Sequence, residues 1–246
     1  MKQLLALAGR RFRGPPPAPA PADPFMAIGD VHGRADLLEA LLGRVLRACA
    51  HAPVVVLGDM IDRGPDSAGV LKLLHGLRTA GVICLRGNHE QMLLDFLDAP
   101  ERCGGRWFRN GGFETLESFG IGLPDPEIDG SMERCAAELR ARLGPLLPWL
   151  HELPLIWRSG NVLAVHAGLD PECPWDAQRD AHLIWGHPRF GHRPRRDGLW
   201  VVHGHVVQPE PLCRPGRIAI DTGAWFTGRL SAARIGAGTV EFMTEG

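Results

Sequence analysis

Three short apolar runs, each ending in a glycine-flanked polar cluster, recur at one fixed interval. Phe25 to Ile28 leads into Gly29-Asp30-Val31-His32-Gly33, and Val54 to Leu57 into Gly58-Asp59-Met60-Ile61-Asp62-Arg63-Gly64. Val82 to Leu85 leads into Arg86-Gly87-Asn88-His89-Glu90. Asp30 to Asp59 is 29 residues, and Asp59 to Asn88 is another 29. Between the runs, Leu37, Leu38, Leu41, Leu42, Val45 and Leu46, then Val70, Leu71, Leu73, Leu74 and Leu77, repeat with helical period. Strand-helix-strand-helix-strand at this spacing predicts parallel strands joined by right-handed crossovers. All three clusters then fall at the carboxyl edge of one sheet, where open α/β folds bind ligands.

Residues 91–150 read as mostly helical, with breaks expected at Gly104-Gly105, Gly111-Gly112 and Pro124-Asp125-Pro126, and form a cap segment. Strand-like runs follow at Leu155 to Trp157, Val162 to Val165, Leu199 to Val202, Ile218 to Ile220 and Leu230 to Ile235, enough for a second sheet. Residues 1–24 stand apart. A short apolar run and three arginines precede Pro15, Pro16, Pro17, Pro19 and Pro21 interleaved with alanine, a composition expected of a flexible or extended tail. The expected organisation is that tail followed by one catalytic domain over 25–246.

Charge narrows the ligand. The 27 Lys and Arg against 28 Asp and Glu leave a formal −1, so no global field holds nucleic acid or an anionic membrane, and an anion must be met by a local cluster. The absence of Tyr removes phenolic nucleophiles. Six scattered cysteines without a Cys-x-x-Cys pair point away from a zinc finger or a secreted disulfide framework and toward a reduced cytoplasm. No apolar stretch approaches the roughly 18 residues of a membrane span, and the first residues lack the charge order of a signal peptide.

Asp, His and Asn without thiolates form a mixed oxygen and nitrogen set suited to manganese, iron or zinc. Two later clusters, Val165-His166-Ala167-Gly168 and Val202-His203-Gly204-His205, end further apolar runs and bring the donors to enough for two ions. His51, His75 and His151 are expected at the surface or at element boundaries, and His182, His187, His192 and His203 are left open. Trp107, Trp149, Trp157, Trp185 and Trp225 are expected to pack in the core or on the sheets.

These motifs resemble the phosphoprotein phosphatase branch of the calcineurin-like metallophosphoesterases, nearest the bacterial and phage-type serine/threonine protein phosphatases. Gly-Asp-x-His-Gly, Gly-Asp-x-x-Asp-Arg-Gly and Gly-Asn-His-Glu match without a gap, and His-Ala-Gly, Gly-His and Ile220-Asp221-Thr222-Gly223 follow in order. The resemblance implies an α/β fold of two mixed β-sheets flanked by helices with a helical cap insertion. It assigns Asp30, His32 and Asp59 to one divalent metal, with Asp59 bridging to a second held by Asn88, His166 and His205. Manganese is the first expectation, with iron or zinc as alternatives. A metal-bridging hydroxide is then expected to attack phosphorus in line with the leaving oxygen. Arg63 and Arg86 would clamp phosphate, His89 would protonate the leaving group, and Asp62 would orient His89. Glu90 reads as a supporting or helix-start residue. Family members often carry an Arg two residues after a Leu/Ile-Trp pair. Here Ile184-Trp185 is followed by His187 at that point and Arg189 two further on, which leaves the third phosphate contact open between them.

The expected partner is a phosphoprotein or phosphopeptide, with neither nucleic acid nor a membrane. The rival within the superfamily is the symmetrical bis(5'-nucleosyl)-tetraphosphatase, whose members usually lack the second carboxylate of the middle motif, place Asp after Gly-Asn-His and follow Gly-His with Trp-Ala. This chain has Asp62, Glu90 and Val206-Val207 there. A catalytically silent phosphate-binding module would have lost a ligand or the general acid, and none is missing.

Overall fold

Every side chain of the first strand is buried, and its two faces enter different cores. Met26 and Ile28 of β1 (Phe25–Ile28) pack with helices, while Phe25 and Ala27 face a second sheet. The computed structural model describes residues 16–48, 52–125 and 127–246. Continuous apolar runs of this kind are what a strand covered on both faces requires.

The expected crossovers form. β1, β2 (Val54–Val56) and β3 (Val82–Cys84) pair in parallel, joined through α1 (Ala35–Ala48) and α2 (Ser67–Leu77). Leu37, Leu38, Leu41, Leu42 and Val45 of α1 are buried, whereas Leu46, read as part of the same face, is 40% exposed. Asp66 caps α2 by accepting from the Gly69 N–H at 2.7 Å.

The expected cap is a run of helices: α3 (Asn88–Asp98), α4 (Pro100–Trp107), α5 (Phe113–Ser118), α6 (Ser131–Leu143) and α7 (Leu146–Glu152). Its buried residues belong to the same core as the outer face of the first sheet, so it is not a detached lid. Two expected breaks resolve differently. Gly104 lies inside α4, where a Cβ would come 2.4 Å from Met132 Cε and 3.2 Å from Phe96, so this glycine serves helix-to-helix approach rather than chain reversal. Gly111 does break the helix, at φ 102° inside a π-helical turn over Phe108–Gly112.

The second half supplies β4 (Ile156–Ser159), β5 (Val162–Val165), α8 (Asp180–Trp185), β6 (Trp200–His203), β7 (Leu212–Arg214), β8 (Arg217–Ala219), α9 (Ala224–Thr227), β9 (Leu230–Gly236) and β10 (Thr239–Glu245). Neither β7 nor β10 is legible from apolar runs, because both are partly exposed edge strands. The first sheet runs β10-β9-β1-β2-β3, with β9 antiparallel to β1, and the second runs β4-β5-β6-β8-β7, with β5, β6 and β8 parallel. Both sheets are mixed, they pack face to face, and helices cover their outer faces, as expected of the α/β class.

The proline-rich segment departs from the expectation of a free tail over 1–24. Residues 1–15 lie outside the described residues, but from Pro16 the chain runs along the second sheet, bonded to it. Asn161 Oδ1 accepts the Ala20 N–H at 2.6 Å, Ser159 Oγ accepts the Ala22 N–H at 2.9 Å, and Trp200 Nε1 donates to the Pro17 carbonyl at 2.6 Å. Pro19 also accepts from the Gly238 N–H at 2.7 Å, between β9 and β10. Composition misses this anchorage, which depends largely on side chains over a hundred residues away.

Candidate metal centre and cleft

The carboxyl ends of β1, β2 and β3 meet those of β5, β6 and β8, so the loops after six strands converge. Their backbones brace one another: the N–H groups of Val31 and His32 donate to the Asp59 carbonyl at 3.0 and 2.9 Å, and Gly33 N–H donates to Met60 at 2.9 Å. Asp30, His32, Asp59, Asn88, His89 and His205 line one cavity of about 60 Å³ together with Arg63, Asp221, Trp225 and neighbouring residues. Buried His166 adjoins it through Asn88 and Asp59.

Asp59 is the hub. Its Oδ2 lies 3.6 Å from His32 Nε2, and its Oδ1 lies 3.3 Å from His166 Nε2 and accepts the His89 N–H at 3.0 Å. The two imidazoles are turned the same way. His32 Nδ1 sits 2.9 Å from the Ile61 carbonyl and His166 Nδ1 3.0 Å from the Leu57 carbonyl, contacts that place the ring proton on Nδ1 and leave both Nε2 lone pairs facing the cavity. Burial lowers His32 to about 3 and His166 to about 4 despite the nearby Asp59 carboxylate, so both imidazoles are neutral at ordinary pH, the form in which a histidine can bind a metal.

The donor arrangement fits divalent cations. His166 Nε2 faces Asn88 Oδ1 at 3.0 Å, so two acceptors meet with no proton between them. Asp30 Oδ1 is buried without a hydrogen-bond partner, although Oδ2 accepts the His205 N–H at 2.9 Å. Burial, then repulsion from Asp221 and Asp59, pushes the Asp30 carboxyl well above the ordinary carboxylate range. Each of these conditions is relieved by positive charge at the same place. Two groups of donors, His32 with Asp59 and His89, and Asp59 with His166 and His205, each lie within 4.8 Å of one another and share Asp59.

Backbone strain is concentrated here. The non-glycine residues with positive φ among the described residues are His32, Asp59, Asp62, Arg63 and His205, at 46–72°. Such conformations cost about 1–3 kcal/mol each and persist where surroundings over-determine them. Glu90 is part of that surrounding: its buried carboxylate accepts the N–H groups of Asp59, Met60 and Gly87 at 2.8–2.9 Å. Gly87 and Gly204 allow the close approach, since a Cβ would fall 2.2 Å from Asp59 Oδ1 at the first and 1.8 Å from Asp30 Oδ1 at the second.

His89 Nδ1 is 2.7 Å from Asp62 Oδ2, and both residues are buried. Burial would lower the His89 pKa, but Asp59 and Asp62 outweigh it and raise it. Asp62 is held in turn by Thr115 Oγ1 at 2.6 Å and by Trp107 Nε1 at 3.0 and 3.1 Å, two residues of the cap that pattern reading did not single out as functional. Arg63 lies beside His32, with Nη1 3.3 Å from Nε2. Its guanidinium also stands 5.4 Å from the ring centre of Trp225, which is 42% exposed and lines the cavity, so Trp225 is not the core residue that was expected.

Two expected phosphate contacts point elsewhere. Arg86 donates to the His151 carbonyl at 2.5 Å and to Gln91 at 3.3 Å and does not line the cavity, because the last turn of α7 offers it a carbonyl. Arg189 pairs with Glu172 at 2.5 Å, and His187 faces Asp170 at 3.8 Å, so neither takes the place of the third basic contact. His203 is buried behind the site, with Nδ1 2.9 Å from the Gly204 carbonyl. His51 lies outside the described residues.

Neutral imidazoles and carboxylates beside the Arg63 guanidinium can hold divalent ions against a phosphate ester, so fold and site together define a metallophosphoesterase. The calcineurin-like phosphoesterase family profile matches residues 23–222, and the chain belongs to that family. It is 33% identical over 225 residues to serine/threonine-protein phosphatase 1 of Salmonella typhimurium, covering 85% of this chain and 90% of that protein. It is 34% identical over 157 residues to a symmetrical bis(5'-nucleosyl)-tetraphosphatase of Dechloromonas aromatica, covering 64% of this chain and 47% of that protein. A protein serine/threonine phosphatase from Saccharomyces cerevisiae superposes with a TM-score of 0.56 at 17% identity, over 99% of this chain and 87% of that one, a likeness of fold. The serine/threonine phosphatase matches support the phosphoprotein phosphatase branch of the family. Among the described residues no helix is long and apolar enough to cross a membrane.

Proposed function

We propose that the chain removes phosphate from phosphoserine and phosphothreonine in proteins. The observation that carries this reading is the buried His89–Asp62 pair, with His89 Nδ1 2.7 Å from Asp62 Oδ2, because the symmetrical bis(5'-nucleosyl)-tetraphosphatases usually lack this second carboxylate of the middle motif.

In this reading Asp30, His32 and Asp59 hold one divalent ion, and Asp59, Asn88, His166 and His205 a second, manganese being the preferred metal. The pair would supply Lewis acidity toward a phosphoryl oxygen and toward water. Arg63 neutralises charge on the phosphoryl oxygens, and Trp225 restrains the guanidinium through its ring face. Arg86 joins it only by leaving the His151 carbonyl. His89, held by Asp62 through Nδ1, presents Nε2 to the leaving oxygen as general acid.

A second reading has one specific observation in its favour. Trp225 and Phe226 are 42% and 57% exposed beside the site, and such rings can stack a nucleobase. A symmetrical bis(5'-nucleosyl)-tetraphosphatase would use them so. Purified manganese-loaded protein assayed in parallel on phosphoserine, phosphothreonine and phosphotyrosine peptides and on diadenosine tetraphosphate separates the readings. Higher kcat/KM on the phosphoserine and phosphothreonine peptides is expected, and a preference for diadenosine tetraphosphate overturns the protein phosphatase assignment.

A further inference from the structure

Asp170, His182 and His187 gather outside the cleft, on the loop after β5 and on and just beyond α8. One donor atom from each lies within 4.8 Å of the others. Gly186, at φ 82°, turns the chain so that His187 comes back edge-on to His182, with ring centres 4.6 Å apart and planes at 74°. α8 is itself tied to the end of β5, since the Ala167 N–H donates to the Leu183 carbonyl at 2.9 Å and Leu183 is buried against the second sheet.

The third donor is held before any ligand arrives. Gln178 Oε1 accepts the Asp170 N–H at 2.7 Å and its Nε2 donates back to the Asp170 carbonyl at 3.0 Å, while Arg195 donates to the same carbonyl at 3.0 Å. Asp170 Oδ1 accepts the Glu172 N–H at 2.9 Å, which leaves Oδ2 directed at His187 Nε2 across 3.8 Å. That gap is too long for a hydrogen bond. His182 Nδ1 is a buried nitrogen without a hydrogen-bond partner. The guanidiniums of Arg189 and Arg193 nearby are both paired with Glu172, which reduces the positive charge they present to a bound cation.

We propose that Asp170, His182 and His187 form a third divalent-cation site, distinct from the cleft and of zinc-type chemistry. Two imidazoles and one carboxylate make a three-ligand set with a fourth position for water. Donors about 2.0–2.1 Å from zinc lie roughly 3.3 Å from one another in tetrahedral geometry, so small side-chain rotations close the present spacing. His187 Nδ1 takes a long contact from the Arg189 N–H at 3.2 Å, and moving its proton from Nε2 to Nδ1 on binding exchanges that contact for the metal bond. An ion here would pin α8 to the loop that follows His166.

The test counts ions on the full chain. Metal-stripped protein is reloaded with zinc, dialysed at low free zinc near pH 7.5, and zinc per chain is measured by mass spectrometry for the wild type, His182→Asn and Asp170→Asn. Each variant is expected to hold one ion fewer than the wild type. Cobalt substituted for zinc should lose part of its visible absorption in both. Circular dichroism confirms folding, and the conservative Asp170→Asn guards against a loss that merely reflects a disturbed α8. Equal zinc content in the wild type and both variants overturns the site. The comparison reads a difference of one ion, so it stands whatever substrate the cleft takes.

Discussion

Trp107 Nε1 donates to both carboxylate oxygens of Asp62, the residue that holds His89 at 2.7 Å. The cap therefore reaches the candidate acid through one indole. A hydrogen bond to a charged group contributes about 1.5–3 kcal/mol, so Trp107→Phe should lower kcat roughly tenfold or more while leaving bound metal unchanged. Metal analysis beside steady-state kinetics checks this; loss of metal in parallel with kcat would mean that the indole supports the whole centre and not the acid.

His89→Ala should retain metal and slow hydrolysis of phenyl phosphate about 10²–10⁴-fold, with a much smaller loss on p-nitrophenyl phosphate, whose leaving group needs little protonation. Equal losses on the two esters would assign His89 to positioning.

Asp59 lies beside both imidazoles turned into the cavity, at 3.6 and 3.3 Å. Asp59→Asn removes the negative charge between them and should lower tightly held metal by at least one ion per chain relative to the wild type by mass spectrometry. Metal content equal to that of the wild type would show that the centre does not hinge on this carboxylate.

Glu90 is buried and accepts three backbone N–H groups, and burial followed by repulsion from Asp59 raises its carboxyl to about 7. Glu90→Ala strands those donors, each worth about 1–3 kcal/mol when unsatisfied. Thermal melts should fall by at least several degrees, and Glu90→Gln, which still accepts with one oxygen, should recover part of the loss.

Burial lowers His203 to about 4, although its contact with the Gly204 carbonyl acts the other way. The unfolded chain then takes up this proton near pH 6.5 and the folded chain only near 4. Its stabilising contribution is complete above about 6.5 and is lost as pH falls from there to about 4. Urea unfolding of metal-stripped protein should show stability falling through this window, with a shallower fall in His203→Gln. An unchanged slope would mean that His203 titrates normally.

The strands that carry Asp30, Asp59, Asn88, His166 and His205 are legible because each is an apolar run closed by glycine and polar residues, and local chemistry sets both features. What surrounds the site is less legible. Trp107 and Thr115 reach Asp62 across 45 and 53 residues, a closeness that no periodicity encodes. Arg86 matches a motif by position, yet a carbonyl on α7 sets its direction, so residue type announces charge without aim. Edge strands such as β7 and β10 escape detection because half their surface faces water.

The segment from Pro16 to Pro24 has a mechanical meaning. It is bonded to the β4–β5 turn of one sheet and, through Pro19, to the β9–β10 turn of the other, so it works as a clasp across the open end of the sandwich. Trimming the chain ahead of Pro16 spares that clasp. Trimming it at Phe25, where the first strand begins, removes the bonds that link the two layers whose shared edge carries the candidate metal ligands.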